Sequence, residues 1–137
     1  MAEAWCRHLR GDAIEARSAG IERHGLNPRA VRVMREIGID ISDRASKSLD
    51  DLDTRGLDFV VTVCSHAHET CPVFPGRAQV IHRGFDDPPK LAERAADEEE
   101  ALSHYRRVRD EIRDYILTLP DALRDTRKRP RRDSKRV

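Results

Sequence analysis

The chain has 137 residues, of which 37% are charged and only 4% aromatic, so one domain must close an aliphatic core beneath a heavily charged surface. No apolar run approaches the roughly 18 residues of a membrane span, and three cysteines are too sparse and odd a set for a secreted disulfide scaffold. The net charge of +1 hides an asymmetry: residues 124–137 carry eight basic and two acidic side chains, leaving 18 basic and 23 acidic ones before them.

AEAWCRHLR, residues 2–10, reads as a helix with Gly11 as its stop. Ala13 to Gly20 reads as a short strand ending in a glycine turn. Asn27-Pro28 opens a helix, with Asn27 as N-cap and Pro28 as first helical residue. Val31, Met34 and Ile37 follow at helical spacing, and Gly38 stops the run. Ser48 to Arg55 reads as a short helix capped by Ser48. Asp58 to Cys64 is a near-continuous β-branched run, the pattern of a parallel strand buried on both faces. Gln79 to Phe85 is a second strand, ended by Asp86-Asp87-Pro88-Pro89. A long helix follows over about Glu98 to Leu119. Leu102, Tyr105, Val108, Ile112, Tyr115, Ile116 and Leu119 form its apolar stripe, and Pro120 closes it. Strands alternating with helices predict an α/β layered fold. The domain is expected over residues 1–119. Residues 120–137 are expected to form a disordered basic tail, with no specific nucleic-acid target.

The chemistry concentrates in VVTVCSHAHETCPVFPG, Val60 to Gly76. Cys64 and Cys71 stand seven positions apart, with His66 and His68 between them. In a reducing compartment such a pair is catalytic, redox-active, metal-binding or simply part of the core. The donors Cys64, His66, His68 and Cys71 suit zinc, but their spacing is not that of the usual zinc knuckles. His66 and His68 are therefore expected as exposed loop residues. Asp86-Asp87-Pro88 reads as a turn sequence, since Asp and Pro favour turns.

Six segments in this order resemble the thioredoxin-coupled arsenate reductases. They are MAEAW (1–5), SAGIERHGLNPRAV (18–31), GIDIS (38–42), VVTVCSHAHETCPVFPG (60–76), HRGFDDP (82–88) and RRVRDEI (106–112). That family is built on the low-molecular-weight protein tyrosine phosphatase fold. The resemblance implies a parallel sheet flanked by helices, in strand order 2-1-3-4. It also implies a first strand and a Cys-x5-Arg loop before the first helix, a unit with no matched residues here. The chain is therefore expected to lack its nucleophile and oxyanion-binding Arg, and to be inactive as it stands.

By the same resemblance, Cys64 attacks an arsenic adduct on the loop cysteine, and Cys71 resolves the product into a Cys64–Cys71 disulfide that thioredoxin reduces. Were residues 64–71 helical, the two Cα atoms would lie roughly 10 Å apart, beyond the reach of a disulfide. The segment must therefore be irregular, or unwind, for the bond to form. Asp87 matches the family's general acid. Arg83 stands where the family often has an aromatic. Glu3 and Ser18 match two residues that hold a cation in some members, but the acidic third position is Lys47. No metal and no bound cofactor are expected. Arsenate and thioredoxin are the implied partners, with no membrane, in the cytoplasm. The alternatives are a tyrosine phosphatase of the same fold, which needs no resolving pair, and a non-enzymatic dithiol or metal-binding fragment.

Overall fold

The structure is a computed structural model and describes residues 1–20, 26–44, 52–64 and 78–128. Helix α1 spans Ala2–Arg10 and buries Ala4, Trp5 and Cys6. Glu3 and Arg7 pair along it at 2.7 Å, one turn apart. Gly11 follows it as C-cap, and the position requires glycine for a steric reason. Its φ is −62°, an ordinary helical value, but a Cβ there would lie 2.5 Å from the Arg7 carbonyl oxygen. The last turn of α1 also secures a distant helix end: Arg10 Nε donates to the Leu119 carbonyl at 2.8 Å and Nη2 to that of Leu117 at 3.0 Å.

The segment expected as a strand over Ala13–Gly20 is not one. Residues 14–19 have no regular structure, and Gly20 forms an isolated bridge. Ile14 and Ala16 do pack against the core, so the alternation was real. A strand also needs a hydrogen-bonded neighbour, and no strand lies beside this segment among the described residues.

Helix α2, Pro28–Glu36, is built as its sequence predicts. Asn27 Oδ1 accepts from the backbone N–H of Arg29 at 2.9 Å and Ala30 at 3.4 Å. At the other end Gly38 takes φ +83°; its N–H donates to the Arg35 carbonyl, and the N–H of Ile39 to that of Met34. These are the two hydrogen bonds of a Schellman motif, and glycine adopts that φ without strain. The fully buried pair is Val33 and Met34; Val31 and Ile37, expected on the apolar stripe, are half-buried. Of the helix expected over Ser48–Arg55, residues 48–51 lie outside the described set. Residues 52–55 are not helical, and Asp53 Oδ1 instead accepts from Arg55 N at 3.0 Å.

Strands β1 (Phe59–Cys64) and β2 (Gln79–Phe85) fall where expected and pair in parallel, Phe59 opposite Gln79 and Cys64 opposite Phe85. They are not buried on both faces. Phe59, Val61 and Ile81 pack against the core, whereas Val80 and His82 are exposed, as is Val63 near the end of β1. Val61 and Ile81 are partners in the ladder, and with Phe59 they form the face of the pair that packs against the core.

Pro88–Ala92 forms a short helix, α3, in place of a simple turn. Helix α4, Glu98–Leu117, packs against α1, α2, α3 and β2 and carries most of the core. Its stripe is the predicted one: Leu102, Tyr105, Val108, Ile112 and Ile116 are buried, with Ala101 beside them. Each such large side chain contributes roughly 1.5–3 kcal/mol on burial. Asp97 caps the helix by accepting from Glu100 N at 2.8 Å, and Glu100 reaches back to Ala96 N at 2.6 Å.

The expected disordered tail is corrected over its first part. Asp121–Lys128 forms a helix, α5, and Leu123 in it is 7% exposed within the main core. The charge count masked this, because one leucine at the right position suffices to dock a short helix. Residues 129–137 lie outside the described set.

Candidate functional site

Parallel pairing brings the carboxyl ends of β1 and β2 to one end of the sheet. Cys64 closes β1 there, in register with Phe85, the last residue of β2. Asp86 and Asp87 follow at once. Two of the three predicted site residues, Cys64 and Asp87, are thus brought to the same end by backbone topology alone. In open α/β sheets this is the end at which ligands bind. Cys71 lies outside the described residues, as do His66 and His68.

The ladder is irregular at this point. Between the Thr62–His82 and Cys64–Phe85 pairs, β1 spends one residue, Val63, and β2 spends two, Arg83 and Gly84. Such bulges re-aim side chains and are frequent beside active sites. Just before it, Thr62 Oγ1 and His82 Nδ1 share a hydrogen bond 2.6 Å long. Just after it, the Arg83 guanidinium stacks 4.7 Å above the Phe85 ring and 5.5 Å from that of Tyr115. The two rings meet edge to face at 6.2 Å. The guanidinium rests on the negative ring faces. Burial pushes the Tyr115 hydroxyl above the usual tyrosine range, against a smaller lowering from the Arg83 charge.

Asp87 stands at the N-cap position of α3 with extended backbone, φ −88° and ψ 104°, as expected before a proline. Its backbone carbonyl accepts from Leu91 N, but its carboxylate caps no N–H. That half-buried carboxylate has no hydrogen-bond or ion-pair partner among the described residues. Asp86 differs. It is exposed, and its Oδ2 accepts from Arg107 Nη2 at 3.0 Å. Arg107 also binds Glu111 at 2.9 Å, one turn further along α4. No local motif marks Arg107 as a neighbour of this turn. Its spacing to Glu111 is visible in the chain, but its pairing with Asp86, 21 residues away, is not.

Glu3, on α1, and Ser18 meet in a charged cluster. Glu3 is flanked by two guanidinium groups, Arg7 at 2.7 Å and Arg44 at 3.5 Å, and accepts from the Ser18 hydroxyl. Lys47 is outside the described residues. Among the described residues no three of His, Cys, Asp and Glu converge as a metal site. Cys6 is a core thiol, 6% exposed, and burial raises its pKa. It is therefore poorly placed to act as a thiolate. No described helix is long and apolar enough to cross a membrane.

Residues 1–129 match the low molecular weight phosphotyrosine protein phosphatase family. An arsenate reductase of Halalkalibacterium halodurans is 46% identical over 121 residues, which cover 88% of this chain and 85% of the relative. An arsenate reductase of Bacillus subtilis is also 46% identical, over 82% of this chain and 78% of its own. Among solved structures, an arsenate reductase in the phosphate binding state superposes with a TM-score of 0.66 at 25% identity, covering 89% of this chain and 86% of that one. An arsenate reductase in the oxidized state superposes with a TM-score of 0.67 at 24% identity, over the same shares.

Proposed function

The chain belongs to the low-molecular-weight phosphotyrosine protein phosphatase family, among its arsenate reductases, and on that premise we propose that it serves thioredoxin-dependent reduction of arsenate to arsenite. The observation that carries the reading is the shared carboxyl end of β1 and β2, which sets Cys64 beside the Asp86–Asp87 turn. The chemistry follows from the residue types. Arsenate must gain two electrons to become arsenite. A dithiol supplies two on closing to a disulfide, and thiolates relay the oxidation through mixed disulfides.

In this scheme a loop thiolate, at a position with no match in these 137 residues, adds to arsenate and water leaves. Asp87 donates a proton to the departing oxygen. The Cys64 thiolate attacks the loop sulfur, the sulfur–arsenic bond breaks, and its electron pair stays on arsenic, which departs as arsenite. Cys71 attacks Cys64 in turn and frees the loop thiolate. The resulting Cys64–Cys71 disulfide takes two electrons from thioredoxin, which places the protein in a reducing cytoplasm.

The test is a thioredoxin-coupled NADPH-oxidation assay with arsenate, on this chain alone and on the chain preceded by a strand and a Cys-x5-Arg loop. Arsenite release is expected only in the second. Cys64→Ser and Cys71→Ser should abolish it, and Asp87→Asn should slow it by about 10²–10⁴-fold. Peptide mapping after mild oxidation should find a Cys64–Cys71 bridge, with Cys6 still a thiol. Phosphate-ester hydrolysis without arsenite release, indifferent to Cys64→Ser and Cys71→Ser, would instead assign the chain to the phosphatases.

A further inference from the structure

We propose that Arg107 is a positioning residue that selects Asp87, and not its neighbour Asp86, as the acid of the site. The inference rests on the reading of Asp87 given above.

Two carboxylates stand side by side where β2 ends, and either could serve by sequence. The structure treats them differently. Asp86 is exposed and its Oδ2 is taken by Arg107 Nη2 at 3.0 Å. Asp87 is half-buried and its carboxylate has no partner among the described residues. Arg107 is itself held to α4 by Glu111 at 2.9 Å, so its fork is presented at a set place on the helix surface.

The backbone converts this into direction. Pro88 restricts the residue before it to extended geometry, and Asp87 sits there at φ −88° and ψ 104°. Along extended backbone, successive side chains leave on opposite sides. Fastening Asp86 to α4 therefore turns Asp87 off that helix. The prolines at positions 88 and 89 open α3 and limit backbone escape from this arrangement. An exposed ion pair of this kind adds little to global stability. Its consequence is local: it excludes the alternative in which the turn rolls and Asp86 takes the site.

The experiment reads the Asp87 side chain directly. Hα–Hβ scalar couplings of Asp87 are measured by NMR in the unsubstituted chain and in Arg107→Gln, Arg107→Lys and Asp86→Ala. The unsubstituted chain should show one large and one small coupling, the signature of a single χ1 rotamer. Arg107→Gln and Asp86→Ala should each collapse these to two similar intermediate values, with Arg107→Lys nearer the original. Asp86→Ala removes the acceptor but leaves Arg107 and its Glu111 pair in place, so it answers even if Arg107→Gln fails to fold. Unchanged Asp87 couplings in Asp86→Ala would overturn the proposal. So would rotamer averaging in the unsubstituted chain. The role of Asp87 itself is judged separately, by arsenite release from Asp87→Asn in the chain preceded by the strand and Cys-x5-Arg loop. A responsive rotamer with undiminished turnover in that variant would retain the clamp and remove the acid.

Discussion

At the scale of single residues, position in the fold sets the chemistry of groups that look alike in the chain. Cys6 and Cys64 are both cysteines beside apolar neighbours, yet Cys6 is sealed in α1 and Cys64 ends a strand at the sheet's carboxyl edge. Tyr115 illustrates how charge and burial compete. Burial favours its neutral form, and the Arg83 guanidinium near its ring partly offsets this. Its hydroxyl should therefore ionise above the usual value of about 10. Arg83→Gln removes the opposing charge and should push the ionisation higher still. Ultraviolet titration, with Tyr115→Phe to identify the signal, checks both. The linkage has a definite sign. Between the unfolded and folded pKa values the native chain holds the extra proton, so this contribution to stability is complete below about pH 10 and is lost as pH rises through the folded value. Arg83→Gln should move that loss to higher pH. A downward shift of the Tyr115 ionisation in this variant would contradict the stacking as described.

At the scale of elements, the boundaries of α1 and α2 were legible because local chemistry determines them. Asn27, Pro28 and Gly38 bracket α2 through caps that involve only near neighbours in the chain. Asn27 also does something its position alone does not reveal: its Nδ2 donates to the Tyr105 hydroxyl at 3.0 Å, tying α2 to α4. Asn27→Ala loses both roles and should cost about 1–2 kcal/mol in a urea unfolding experiment. Asn27→Asp keeps the cap acceptor and loses the donor, so it should cost less. Equal losses would mean that the bond to Tyr105, and not the cap, carries the stability. The strand expected over Ala13–Gly20 failed for the complementary reason. Alternation is local, but a strand exists only through a neighbour, and the sequence of the segment does not say whether one is there.

At the scale of the whole molecule, α4 is the post on which α1, α2, α3 and β2 assemble, and α5 closes its far end. Arg10 reinforces that end by binding the Leu117 and Leu119 carbonyls from α1. Leu123 is then a core residue in a segment that composition marks as a solvated tail. Leu123→Ala should destabilise the chain by about 2–4 kcal/mol, measured as a lowered urea midpoint. A surface tail would show a change within about 0.5 kcal/mol, and that outcome would undo the docking of α5. The sheet is less complete than the helices. Only β1 and β2 pair among the described residues, and a two-stranded unit is marginal unless packed on helices.

The sequence by itself determined the caps of α2, the apolar stripe of α4, the strands β1 and β2, and the residues that could carry chemistry. Each depends on neighbours within a few positions, or on residue types that resemble a known family. Only the tertiary structure decided that Cys64 and Asp87 share one end of the sheet, that Asp86 is spoken for by Arg107, that Phe59, Val61 and Ile81 are the strand residues packed on the core, and that Leu123 belongs to the core. These are contacts across tens of residues. They arise from how helices pack and strands pair, and no local pattern in the chain encodes which distant partner will arrive.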